Sequence, residues 1–209
     1  FDISGFVKEG KNYVKVVVLD ELDRELAYGK QRKDRGGMWY TPISGIWQTV
    51  WCESVPKNYI KGIKVTPSLD SVHIDVDAND GEKVLVIGEN EYRFSEKSID
   101  VKIENPINWT PENPHLYDFT LTYGDDKIES YFALRTVSIG EKNGKAFILL
   151  NEKPILCHGL LDQGYYCDGI YLPANPKGFE FDILEMKKLG FNMLRKHIKI
   201  EPQLFYYYC

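Results

Sequence analysis

From residue 1 to about 137, short apolar stretches alternate with polar positions and turn signals. "SGIWQTVWCESV" puts Ile46, Gln48, Val50 and Cys52 on one side and Trp47, Thr49, Trp51 and Glu53 on the other. That period of two marks a strand. "NYVKVVVLDE" is a dense β-branched run with the same tendency. Residues 1–57 are therefore expected to be β structure, interrupted by "GKQRKDRGGMWYTPISG". This connection carries Lys30, Arg32, Lys33 and Arg35, the pair Gly36 and Gly37, and the aromatics Trp39 and Tyr40. It is long for a passive link. It reads either as a solvated loop anchored by its aromatics or as an aromatic and polar rim over a neighbouring site.

Residues 58–137 offer seven strand candidates: "YIKGIKVTP", "SVHIDVDA", "KVLVIG", "EYRFS", "SIDVKIE", "LYDFTLTYG" and "KIESYFALR". Turn signals such as "NDGE" and "YGDD" separate them, which fits an immunoglobulin-like sandwich without a disulfide. "NPINWTPENPHLY" is expected to be an extended, turn-rich connection. Such a sandwich is a scaffold, and its fold carries no chemistry by itself.

The period changes near residue 138. "KAFILLNEKPILCHG" predicts a hairpin leading into a buried strand. "NPKGFEFDILEMKKLG" predicts a helix, with Asn175 as cap, Pro176 in the first turn and Gly190 at the end. Phe179, Ile183 and Met186 form its apolar stripe, with Phe181 and Leu184 beside them. The strand "FNMLR" follows, and Pro202 opens a second helix. The order strand, helix, strand, helix predicts a right-handed βαβ unit.

Functional groups of parallel α/β folds gather at the carboxyl ends of strands. Asp162 and Gln163 stand at that end of the first strand, and Arg195, Lys196 and His197 at that end of the second. Tyr165 and Tyr166 follow in the loop, and an aromatic ring suits the apolar face of a sugar. Read blandly, Asp162 and Arg195 form an ion pair that completes the strand ends, and the aromatics are packing.

Composition narrows the classes. With 43% hydrophobic and 27% charged residues the chain is globular, and its net charge of −5 argues against a nucleic-acid partner. No apolar run reaches membrane-spanning length, so no membrane partner is expected. The four cysteines (Cys52, Cys157, Cys167, Cys209) and four histidines lack metal-ligand spacing, so neither a metal nor a cofactor is expected. Free, mostly buried thiols are the expectation, with Cys157–Cys167 the only local disulfide option. Unpaired cysteines fit a bacterial cytoplasm slightly better than secretion. Lacking an initiator Met, the chain is expected to start mid-protein.

Several stretches resemble glycoside hydrolase family 2. "SGIWQTVW" is similar to the closing strand of the family's jelly-roll domain. "WTPENPHLYDFTLTYG" with "SYFALRTVSI" resembles the end of its immunoglobulin-like domain. "LLNEKPILCHGLLDQG" and "DILEMKKLGFNMLRKH" resemble the first strand, first helix and second strand of its barrel. The implied fold is mostly β with a C-terminal α/β part: 1–57 the end of a jelly-roll, 58–137 an immunoglobulin-like sandwich, and 138–209 the first βαβ unit of a truncated TIM barrel. The implied activity is hydrolysis of β-linked glycosides. The family's paired glutamates sit after the fourth and seventh barrel strands, so no catalytic residue is expected within this chain, and the chain alone is expected to be inactive.

Asn192 and Arg195 match the family's Asn-x-x-Arg, but His197 comes one position early, and Leu161, Asp162 and Gln163 replace an Asn-x-His. A different sugar preference follows from those departures. Trp39, Asp162, Gln163, Tyr165, Arg195 and His197 are the candidate sugar contacts. A stand-alone carbohydrate-binding module and a surface adhesin are the competing readings; neither accounts for the βαβ pattern.

Overall fold

The computed structural model describes every residue except Arg24, Ala27 and Arg35, and for Lys142 the backbone alone. Arg35, one of the basic residues of the long connection, thus lies outside the described residues. The chain is mostly β and divides into two compact units. One is Trp51–His158; the other combines Phe1–Val50 with Gly159–Cys209.

In the first unit, seven strands match the seven alternating stretches, two of them starting one residue earlier: β1 (Gly62–Pro67), β2 (Ser71–Asp77), β3 (Lys83–Ile87), β4 (Asn90–Phe94), β5 (Ser98–Lys102), β6 (Tyr117–Tyr123) and β7 (Asp126–Phe132). They form two antiparallel sheets, β1-β2-β5 and β4-β3-β6-β7. Alternation decides what each strand buries. Val72, Ile74 and Val76 of β2 and Phe119, Leu121 and Tyr123 of β6 point inward, joined by Leu85, Val101 and Phe132 in one core. Each large apolar side chain removed from water contributes about 1.5–3 kcal/mol. Lys83 is 1% exposed, and its ammonium donates to the carbonyls of Gly81, Ser95 and Glu96 at 3.0–3.2 Å.

A hairpin follows, made of β8 (Val137–Lys142) and β9 (Lys145–Leu150), with the short β10 (Lys153–Pro154) alongside β9. Asn143 and Gly144 turn it with φ of 54° and 70°, the left-handed pair that a two-residue hairpin turn requires. The buried strand expected directly after it is not formed there, since Leu156 is exposed.

In the second unit β11 (Gly159–Asp162) and β12 (Met193–Lys196) are parallel, linked through α1 (Lys177–Lys188); α2 (Gln203–Tyr208) follows. Asn175 Oδ1 accepts the Lys177 N–H at 3.0 Å, the expected cap. At the other end Gly190 adopts φ 90°, while Gly190 N–H donates to Lys187 and Phe191 N–H to Met186. That pair of bonds is the Schellman ending, and a side chain at Gly190 would strain it. Phe179 is buried against Phe205, their ring centres 5.6 Å apart. Phe181 and Leu184, expected to join the stripe, are exposed instead.

The first 57 residues depart from expectation. Among the described residues they contain no strand, only the bridges Gln31–Tyr40 and Gly36–Trp39. Tyr13, Val14, Val17 and Leu19 of the β-branched run lie exposed. β propensity measures fit to a pleated surface already paired with neighbours. Neither this run nor residues 44–55 meets a partner strand here, so both stay unpaired. All four cysteines are free, and Cys52, Cys167 and Cys209 are exposed rather than buried.

Candidate functional site

The register of β11 and β12 decides which side chains share a face. Leu161 lies opposite Arg195 and Asp162 opposite Lys196. Successive side chains alternate across a strand, so these two pairs face opposite sides. Arg195 and Leu161 are exposed, on the face away from the half-buried pair. Asp162 and Lys196 occupy the side of Phe205 and Glu201, with Lys196 Nζ 3.0 Å from Asp162 Oδ2 and 4.7 Å from the Phe205 ring centre. The four candidates Asp162, Gln163, Arg195 and His197 thus share the carboxyl end of two neighbouring strands but not one face. The ion pair considered for Asp162 and Arg195 is made by Asp162 with Lys196.

Beneath the strand ends lies a buried charge network that sequence reading missed. Glu201 Oε1 lies within ion-pair range of both Lys196 and Lys199, the latter at 3.0 Å. The side chains of Lys199 and Glu201 have no exposed area. Lys199 Nζ also donates to the carbonyls of Gly164 and Tyr171. Burial pulls its ammonium below the ordinary lysine range, against the opposing pull of Glu201. Two cations and two carboxylates make the group formally neutral. The signal in the sequence was the density of Lys and Glu in "RKHIKIEP"; the partners become evident only once the strands pair.

The long connection reaches this end of the unit. Gln31 is buried and fixes the connection internally, accepting the Ile43 N–H at 2.6 Å and donating to Tyr28 O at 3.0 Å. A Cβ on Gly29 would meet Ile198 O at 2.9 Å, so the connection and the β12 exit run against each other. Tyr40 stacks on Tyr165 with ring centres 4.8 Å apart and lies 6.3 Å from the His197 ring. Tyr171 meets Tyr165 and Trp47 edge-on at 5.7 and 5.1 Å. The Arg32 guanidinium lies 3.9 Å from the centre of the Trp39 ring, and its neighbour Tyr40 makes the contact with Tyr165.

Electrostatics at this rim follow from lost water. Burial, with Tyr171 and Tyr40 nearby, pushes the Tyr165 phenol up to about 12, so it stays a neutral hydroxyl. Among the described residues that hydroxyl is buried without a hydrogen-bond partner. His197 N–H donates to Asp162 O at 2.9 Å, while its imidazole is pulled below 6.5 by lost water and by Lys30 and Arg195. Gln163 is exposed. Ile170 and Ile198 take φ of 62° and 64°, a strained region for β-branched residues. Among the described residues no group of His, Cys, Asp and Glu could hold a metal ion, and no helix is long and apolar enough to cross a membrane.

The whole chain and its parts resemble known proteins of one kind. Residues 71–135 match the model of Glycosyl hydrolases family 2. A beta-galactosidase of Aeromonas hydrophila is 28% identical over 98% of this chain and 22% of its own length. A beta-galactosidase of Pseudoalteromonas haloplanktis is 26% identical over 100% and 22%. Among solved structures, a Faecalibacterium prausnitzii beta-glucuronidase superposes with a TM-score of 0.64 at 20% identity, covering 74% of this chain and 26% of that one. A GH2 beta-galacturonidase from Eisenbergiella tayi, bound to galacturonate, gives 0.58 at 22% identity over 72% and 30%. These likenesses are all to glycoside hydrolases. The family match over residues 71–135 and these relatives all point to one kinship, with glycosyl hydrolases family 2. It spans about a fifth of the length of the curated beta-galactosidases it matches.

Proposed function

We propose that this chain is the part of a retaining family 2 β-glycosidase that carries an immunoglobulin-like scaffold and the first βαβ unit of a (β/α)8 barrel. Its contribution is part of the sugar-binding rim. The observation that carries the reading is the parallel pairing of β11 and β12, with Arg195 on the uncovered face and the Tyr40–Tyr165 stack at the carboxyl end. A guanidinium offers five donors for hydroxyl or carboxylate oxygens, and stacked rings suit a sugar's apolar face. Residues 1–57 correspond, in this reading, to the end of the jelly-roll domain.

Retaining hydrolysis uses two carboxyl groups about 5–5.5 Å apart, one as nucleophile and one as acid/base. The carboxylates near this rim are committed elsewhere: Asp162 is paired with Lys196, and Glu201 with Lys196 and Lys199. The chain therefore binds and orients, and the catalytic pair belongs to later barrel strands. The purified chain is expected to show no turnover of aryl β-galactoside, glucuronide, mannoside or glucoside. Turnover that persists through purification and disappears in Asp162→Ala would overturn the assignment.

A further inference from the structure

Lys199 lies under the rim without being part of it. Its ammonium donates to Gly164 O and Tyr171 O and forms an ion pair with Glu201 Oε1 at 3.0 Å. The two carbonyls bracket Tyr165, and the same ammonium sits 4.2 Å from the Tyr171 ring centre and 5.7 Å from that of Tyr165. We propose that Lys199 is the positioning residue of this site: it pins the loop between β11 and α1 to the exit of β12 and so holds Tyr165 against Tyr40. The purpose given to the clamp rests on the carbohydrate reading above; the clamp itself rests on the geometry alone.

Three further observations fit a clamp rather than a ligand site. The group of Asp162, Lys196, Lys199 and Glu201 is formally neutral, and the Lys199 and Glu201 side chains have no exposed area to offer an incoming anion. Gly164 is buried at φ 63°, and a Cβ there would collide with Lys196 Nζ, Lys199 Cε and Glu201 Oε1. The loop backbone is thus pressed directly onto the charges. Ile198 holds its strained φ of 64° between His197 and Lys199. Such a conformation persists where its surroundings over-determine it, and the inward anchoring of Lys199 supplies that constraint.

Hydrogen exchange on the full 209-residue chain tests the clamp. Lys199→Met keeps the stem's bulk and removes the donors. Amides of residues 163–173 should exchange at least about tenfold faster in this variant, while those of 62–132 keep their rates. Gly164→Ala, which pushes on the clamp from the loop side, should give the same local pattern. Because Lys199 and Glu201 act as a unit, adding Glu201→Gln to Lys199→Met should cost less than the two single effects combined. Unchanged loop protection in Lys199→Met, or full additivity with Glu201→Gln, would overturn the proposal.

Saturation-transfer NMR with methyl β-D-galactopyranoside and methyl β-D-glucuronide separates the clamp from the carbohydrate reading. A wild-type signal that falls several-fold in Lys199→Met supports both. No wild-type signal, with a loosened loop in the variant, removes the sugar and keeps the clamp. Equal signals and equal loop protection keep the sugar and remove the clamp.

Discussion

Lys83 shows how a cation is tolerated inside a β core. Burying an ammonium without partners costs far more than a domain can spare. Here three carbonyls take its three donors, and the Phe94 and Tyr123 rings lie 5.5 and 5.8 Å away. The residue therefore ties the turn before β3 to the turn after β4. Lys83→Met would leave three carbonyls without their donor, and water at the turns would recover only part of the loss. The expected cost is about 2 kcal/mol, read as a lower urea midpoint for the sandwich. A variant as stable as the parent would mean the stem matters and the charge does not. The same logic explains why Lys196 and Lys199 are acceptable under the rim and why neither is exchangeable for a neutral residue alone.

Cross-strand pairs set the sheet's response to pH. His73 of β2 lies directly opposite Asp100 of β5. Its Nδ1 is 2.8 Å from Asp100 Oδ1 and its Nε2 3.2 Å from Asp75 Oδ1. Asp100 first, then Asp75, raises the imidazole above 6.5. A group raised on folding stabilises the folded form fully below its unfolded value, and that help is lost as pH rises through the raised value. The sandwich is thus expected to have a higher urea midpoint at about pH 6 than at about pH 9. His73→Gln should flatten that difference; an unchanged slope would assign it to other groups. At this scale the sequence was most readable. Alternation and turn residues sufficed for β1–β7, because each strand's pattern repeats within a few residues. They misled over residues 12–21, where propensity was present and a partner strand was not. They also hid the Lys196–Glu201–Lys199 network, whose contacts with Asp162 and Gly164 need the β11–β12 pairing first.

For the whole chain, the contrast between the units is one of core size. Among the described residues, the unit Trp51–His158 contains all but two of the buried apolar ones, the exceptions being Phe179 and Phe205. Residues 1–20 bury nothing. Brief proteolysis should therefore trim the N-terminal stretch first and leave a resistant piece spanning roughly 60–135. Cleavage inside β2 or β6 at comparable speed would contradict the single-core description.

The other unit is discontinuous: its halves, 1–50 and 159–209, are separated by the entire sandwich. A ribosome delivers the chain from one end at about 5–20 residues per second. Tyr40 is therefore synthesised well before Tyr165, and Lys199 later still. The sandwich has all its strands by residue 132 and can close during that interval. Once folded, it is no longer a long flexible loop, whose closure entropy grows with length. The sandwich can thus be complete before the early and late halves of the other unit first meet.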